Sequence, residues 1–170
     1  MTILDGALLI TIAICFYTDV REQKIYNKVL LPAFVIGFLG NILTGGLSGV
    51  LISAQGLLLG MALLILPFLA GGMGAGDVKL MGIIGLYKGP AFVFQAFLLT
   101  AIVGGVIALI ILAKKKKLGY TMHNFWAAIT SLFLLLPKGT VMEGLNQSAV
   151  ASFPYGIAIS IGTVLAYVVG

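Results

Sequence analysis

The chain has very little charge. Only 9% of its 170 residues are charged and 61% are hydrophobic, whereas about a quarter of the residues in a soluble domain are charged. The composition therefore excludes a soluble globular domain and indicates a protein embedded in a membrane. The net charge of +5 does not indicate nucleic-acid binding, because no large polar surface is present. Orientation in the membrane and attraction to anionic lipids account for the basic residues.

Side chains that bind metals or form disulfides are nearly absent. The sequence contains one cysteine, one histidine and five acidic residues. Cys15, as the lone cysteine, excludes an internal disulfide and a cysteine-based metal site. No HExxH, CxxC, Walker or GxGxxG pattern occurs, so we expect neither a metal ion nor a cofactor.

Long apolar runs fill most of the chain. A helix that crosses a bilayer needs about 20 mostly apolar residues, and six runs approach that length. We therefore predict an all-α polytopic membrane protein with about six transmembrane helices. A shorter apolar run at 125–136 predicts one interfacial or re-entrant helical segment, with a seventh crossing as the competing interpretation. The six predicted spans are residues 3–18, 29–44, 47–70, 70–89, 90–113 and 151–169.

Basic residues predict the orientation of these spans. They concentrate in two loops, 19–28 and 114–150, and the positive-inside rule places both loops in the cytoplasm and the N-terminus outside. We interpret the first run as a permanent span, because no basic segment of a signal peptide precedes it. Lys88 then lies at the outer interface, where its stem can extend to the headgroups. The basic residues of the two loops are Arg21, Lys24, Lys28, Lys114, Lys115, Lys116, Lys117 and Lys138.

A serine-protease interpretation fails on this topology. Gly46-Leu47-Ser48-Gly49 matches a GxSG pattern, and His123 is the one histidine that could serve as its base. The predicted threading places Ser48 outside and His123 in the cytoplasmic segment. A membrane would separate the two residues, so we do not assign them a catalytic role.

Two aspartates are predicted at similar depth on the cytoplasmic side. Asp19 ends the first span, and Asp77 lies in the fourth, roughly 10 Å deep if the preceding residues are helical. An ionisable group inside a bilayer is costly and is a functional-site candidate. Taken alone, Asp19 is typical of a helix cap, and Asp77 of an ion-pathway group or a packing partner of Lys79. Together they could share a proton and activate water for peptide hydrolysis.

Glycines surround Asp77 and weaken a helix by up to about 1 kcal/mol each relative to alanine. They let neighbouring helices or an extended substrate approach the backbone closely. Lys79 follows Asp77 by two positions, so it does not share a helical face with it, and we predict that it extends to the headgroups. Asn41 and Gln55 are predicted to form interhelical hydrogen bonds. The glycines are Gly71, Gly72, Gly74 and Gly76.

Three motifs, in order along the whole chain, resemble the type IV prepilin peptidases. Gly74-Ala75-Gly76-Asp77, continued by Val78-Lys79-Leu80, resembles their GxGDxKL motif. The stretch 19–27 resembles their first aspartate motif, with Tyr26 in place of the usual proline, which loosens the turn. Phe153-Pro154-Tyr155-Gly156 resembles the Pro-[Phe/Tyr]-Gly sequence that opens the last span.

The resemblance implies one membrane-embedded peptidase domain over residues 1–170, with Asp19 and Asp77 as the catalytic pair. Such an enzyme removes the short basic leader from type IV pilin-like precursors at the cytoplasmic face of the cell (inner) membrane. Its partners are that precursor and membrane lipids. The chain looks most like the short Flp or tight-adherence pilus peptidases, and archaeal preflagellin peptidases are a close variant.

Further expectations concern the site's surroundings and a second activity. We hypothesise that Glu22 helps to position the basic leader, and that Gly74, Gly76 and Lys79 shape the site. Larger members of the family have an N-terminal domain, often with paired CxxC motifs, that helps to methylate the new N-terminus. This sequence starts at the first span and has one cysteine, so we expect no methyltransferase activity.

Two functions of other classes remain open at this point. One is a small proton- or ion-coupled transporter with Asp77 as the coupling residue, although the sequence has no inverted repeat and no second broken helix. The other is a structural membrane subunit whose acids only pair helices.

Overall fold

The computed structural model describes residues 3–69, 72–114 and 155–169. Nearly all of these residues are helical and none forms a strand, which confirms the prediction of an all-α protein. Short connections join the first four helices. The described ranges contain α1 (Ile3–Glu22), α2 (Asn27–Leu69), α3 (Ala75–Lys88), α4 (Pro90–Lys114) and α5 (Tyr155–Val169).

Helix α2 consists of two helices joined at Gly46. Gly46 has φ 55° and ψ −139°, a conformation that glycine adopts at little cost. Gly37 before the joint and Gly56 after it both pack against the C-terminal part of α3. The two halves, 27–45 and 47–69, therefore run side by side in opposite directions. The predicted break between the second and third spans lies at this joint.

Among the described residues, three helices are long and apolar enough to cross a membrane: α1, α2 and the segment Pro90–Ile110 of α4. Helix α5 is apolar but has 15 residues, and α3 has 14. Since α2 turns back at Gly46, its 43 residues provide two antiparallel apolar segments. The prediction of about six crossings stays a prediction, because length and composition identify three helices.

Helix α3 lies at the centre of the described bundle. Every residue from Leu80 to Tyr87 is buried, and α1, α2 and α5 all contact this helix. Glycines allow the closest contact: a Cβ on Gly56 would lie 2.0 Å from the carbonyl oxygen of Gly85, and one on Gly85 equally close to that of Gly56. Small residues that bring backbones together are typical of helix packing in membranes.

Hydrogen bonds add to this packing. Asn41 donates from Nδ2 to the carbonyl oxygen of Leu86 at 2.9 Å, which confirms its predicted interhelical role. The Tyr87 hydroxyl donates to the carbonyl oxygen of Ala33 at 2.8 Å. These two bonds fix α3 against the first half of α2. Gln55, the other residue predicted to form an interhelical hydrogen bond, is exposed, and its bond stays a prediction.

An ion pair joins the first turn of α1 to the last residue of α3. Lys88 Nζ lies 3.0 Å from Asp5 Oδ1, and the Tyr167 hydroxyl donates to the same oxygen at 3.1 Å. The ammonium also lies over the rings of Phe92 and Tyr167, 5.3 and 4.8 Å from their centroids. The amine thus has an anionic partner and two aromatic faces within the bundle, and the extension of Lys88 to the headgroups stays a prediction.

Several predictions concern residues outside the described ranges. They are the helical segment at 125–136, His123, the basic residues 115–117 and Lys138, and Pro154 of the last motif. Residues 106–114 belong to a second compact unit, of which only this end of α4 is described. The remaining described residues form the first unit, which contains both aspartates.

Candidate active site

Asp19 lies in the last turn of α1 and is only 4% exposed. Its Oδ2 accepts a hydrogen bond of 3.0 Å from the backbone N–H of Ile157, in the first turn of α5. The first N–H groups of a helix have no partner within that helix, and a carboxylate is a good acceptor for them. Asp19 therefore caps the N-terminus of a different helix, 138 positions away along the chain.

Asp77 occupies the first turn of its own helix. Its Oδ2 accepts a hydrogen bond of 3.0 Å from the backbone N–H of Gly74, and its backbone N–H donates to the Gly74 carbonyl oxygen at 3.1 Å. Residues 72–74 are not helical. The depth of roughly 10 Å was predicted on the condition that these residues are helical; they are not, so that figure no longer follows from helical rise. Asp77 is 8% exposed.

The two carboxylates come close enough to interact electrostatically. Both also interact with the thiol of Cys15, one turn before Asp19 on α1. Helices α1, α3 and α5 contact one another, so two helix N-termini converge on two acids. The positive ends of these helices stabilise negative charge, which offsets the cost of burying a carboxylate.

Gly156 sets the distance between α1 and α5. A Cβ on this residue would lie 2.8 Å from both Cγ and Oδ2 of Asp19, which is shorter than any ordinary contact. Only glycine therefore lets the N-terminus of α5 approach the carboxylate. Gly156 was not among the predicted site residues, although it lies in the motif that resembles the family's opening to the last span.

Tyr155 lies beside the second carboxylate. It is half-buried at the start of α5 and interacts electrostatically with Asp77. Its hydroxyl would lie 3.7 Å from a Cβ on Gly72, so the non-helical segment before α3 passes next to it. The same motif contains Tyr155, which the sequence-based site also lacked.

Three other predicted site residues, Gly74, Gly76 and Lys79, make contacts around the first turns of α3. The backbone of Gly76 packs on Ile25, where an added Cβ would lie 2.8 Å from the Ile25 side chain. Lys79 Nζ donates to Asn27 Oδ1 at 3.0 Å, at the start of α2. Gly74 contributes the backbone N–H that Asp77 accepts. The glycines thus allow a loop, rather than a helix, to approach α3.

Glu22 lies one turn after Asp19 and is exposed. Its carboxylate accepts a hydrogen bond from the hydroxyl of Tyr26, the residue that replaces the proline of the family motif. This bond raises the pKa of Tyr26, because the carboxylate favours the protonated phenol. The bond links the two ends of the short loop that follows α1.

The chemistry available at this site is that of two carboxylates. Within residues 3–69, 72–114 and 155–169, no three histidine, cysteine or acidic side chains are grouped so that they could hold a metal ion. A pair of acids in a water-poor environment can hold one proton between them, and can then act together as a base and an acid.

Comparison with known proteins gives one match. The model of the type IV leader peptidase family matches residues 6–109. This range includes most of α1, all of α2 and α3, and most of α4, and therefore both aspartates. No curated protein and no solved structure matches the chain.

Proposed function

Because the chain belongs to the type IV leader peptidase family, we propose that it is an aspartic endopeptidase of the cell membrane. Its substrate is a type IV pilin-like precursor, and it removes the short basic leader at the cytoplasmic face. Asp19 and Asp77 are the catalytic residues. The Flp-type precursors are the substrate class that the motifs favour.

The convergence of Asp19 and Asp77 supports this proposal most strongly. Both side chains are buried, both accept a hydrogen bond from the N-terminal turn region of a helix, and they interact with each other. If either acid only capped a helix, the second acid would not be needed beside it. A pair of buried acids is what peptide hydrolysis by an aspartic mechanism requires.

The proposed reaction uses water as the nucleophile. The ionised aspartate accepts a proton from water as the oxygen attacks the scissile carbonyl carbon. The protonated aspartate donates a hydrogen bond to the developing oxyanion, and a proton passes to the leaving amine as the C–N bond breaks. The proton taken from water balances the one given to the amine, so the pair returns to its starting state.

The proposed topology has about six crossings, with the N-terminus outside and the site facing the cytoplasm. Arg21, Lys24 and Lys28 flank the end of α1 that bears Asp19, and the positive-inside rule favours the cytoplasm for such a cluster. A leader that is itself basic would be repelled there. Glu22, which is exposed at this end, supplies an attractive charge, and we propose that it helps to position the leader.

The test is co-expression with a candidate precursor, followed by a gel shift that reports loss of the leader. Asp19→Asn and Asp77→Asn should each abolish the shift while the protein still accumulates in the membrane. Asp5→Asn is the matched control, because Asp5 is also a buried aspartate of α1 but lies at the opposite end of the helix, roughly 20 Å from Asp19. It should retain processing per molecule. Normal processing by either of the first two variants would remove that residue from the proposed pair.

A further inference from the structure

A groove of about 430 Å³ lies between the two halves of α2 and α3. Sites for small ligands are typically about 300–1,000 Å³. The groove walls are aliphatic or aromatic over most of their length, and they belong to helices of the membrane-embedded unit. The wall residues include Leu30, Phe34, Leu57, Met61 and Ile83.

The polar groups of the groove are at one end. Asn27 and Lys79 line this end, and the hydrogen bond from Lys79 Nζ to Asn27 Oδ1 connects them. Lys79 is exposed. Among the residues that the structure describes, no carboxylate lies within 4.0 Å of its amine, so the neutral Asn27 amide leaves its positive charge uncompensated there.

The groove is separate from the catalytic pair. Lys79 and Ile83 lie one turn apart on the same face of α3, whereas Asp77 precedes Lys79 by two positions and faces elsewhere. A ligand in the groove would therefore contact α3 on a different face from the acids. Its polar end would be level with Asp77 along the helix axis, because two residues rise by only about 3 Å.

We propose that this groove binds one anionic glycerophospholipid. An acyl chain lies along the apolar walls, and the phosphate and anionic headgroup lie at Lys79 and Asn27. The shape and the charge of the groove agree on this occupant: an apolar channel suits a hydrocarbon chain, and a lysine without an acidic partner suits a phosphate. Lys28, adjacent to Asn27 and also exposed, adds positive charge at the same end.

A second groove supplies an internal comparison. It has a volume of about 320 Å³, lies between α1 and α5, and has walls that include Leu9, Ile12, Phe16 and Val164. Its lining contains no charged side chain. Such a groove accepts an acyl chain of any lipid without selecting the headgroup, so selectivity for anionic lipid should come from the Lys79 groove.

Native mass spectrometry of the full chain tests the proposal. The purified protein is released from neutral detergent that contains equal amounts of phosphatidylglycerol and phosphatidylcholine with identical acyl chains, and retained lipids are counted. We expect about a fivefold preference for phosphatidylglycerol. One lysine near an anionic lipid surface contributes about 1 kcal/mol, which corresponds to that ratio.

Four variants identify the site. Lys79→Gln should remove most of the preference, leaving only the smaller contribution of Lys28, and Lys79→Arg should keep it. Lys24→Gln removes the same charge from a loop residue that does not line the groove, and it should keep the preference. Leu31→Trp, at an exposed position in the wall, should reduce retention of phosphatidylglycerol.

Equal retention of the two lipids by the wild type would overturn the proposal, and so would an unchanged preference in Lys79→Gln. Either result would mean that the groove does not select an anionic headgroup through Lys79. The measurement does not involve proteolysis. Its failure would therefore leave the proposed peptidase function untouched.

Discussion

Replacement of Gly156 by alanine is the most specific perturbation of the proposed site. The new Cβ would lie 2.8 Å from Asp19 Cγ and Oδ2, whereas ordinary van der Waals contact begins at 3.4 Å. Asp19 or the start of α5 must therefore move by about 0.6 Å. Because a misplacement of about 1 Å can cost about 100-fold in rate, we expect a loss of about tenfold to 100-fold in leader cleavage per molecule.

The assay measures leader release by purified protein in lipid vesicles, normalised to the amount of folded enzyme. Gly162→Ala is the matched control on the same helix, about 9 Å along its axis from Gly156. A Cβ there would lie 2.4 Å from Thr100 Oγ1 and 2.6 Å from the Thr100 backbone nitrogen. It should lower the yield of folded protein strongly, as overpacking does, while turnover per molecule of the protein that does fold stays within about threefold. Turnover of Gly156→Ala equal to the wild type would refute the reasoning that Gly156 positions Asp19.

Three further predictions concern stability and substrate recognition. Lys88→Met should lower the free energy of unfolding in detergent by about 2 kcal/mol, between the values for exposed and buried ion pairs. Adding Asp5→Asn should recover part of the loss, and full additivity would contradict the pairing. Gly85→Ala should prevent accumulation in the membrane, because the Cβ meets the Gly56 backbone and backbone cannot yield as a side chain can. Gly105→Ala, with nothing within 4 Å of its Cβ, should accumulate normally. Glu22→Gln should lower kcat/KM for a basic leader about fivefold at low salt and less at high salt, since the charge is exposed. A precursor whose leader lysines are replaced by glutamine should show no such difference, and an unchanged kcat/KM for the basic leader would reject a role for Glu22.

The helices were predictable because apolar runs and glycine breaks determine them locally. The runs at 3–18, 29–44, 47–70 and 90–113 correspond to α1, the two halves of α2, and α4. The break at Gly46 has the positive φ that a glycine pair makes possible. Helix propensity and hydropathy depend on neighbours in the sequence, so one sequence is sufficient to identify these elements.

The start of α3 was less predictable. Residues 70–89 read as one continuous apolar span, yet the helix begins at Ala75 and residues 72–74 are not helical. A glycine-rich segment is compatible with either conformation. The hydrogen bonds between Asp77 and Gly74 define this helix start, and the same pattern of residues could have been accommodated inside a longer helix.

Contacts between distant positions were the least predictable. The bond from Ile157 to Asp19 spans 138 positions and the pair of Lys88 with Asp5 spans 83. Each depends on how α1, α3 and α5 pack, which no local pattern specifies. The motifs predicted that Asp19 and Asp77 act together. They did not predict that α5 contributes Gly156 and Tyr155 to the same site.

Non-additivity of the two aspartate substitutions tests the central claim most directly. The rate of leader release from a purified precursor is measured for the wild type, Asp19→Asn, Asp77→Asn, the double variant and the control Asp5→Asn. Residues that act as one catalytic unit give losses that do not multiply. We predict that each single variant loses essentially all activity, that the double variant is no worse, and that Asp5→Asn keeps its turnover. Cleavage by either single variant at the rate of Asp5→Asn would contradict the account.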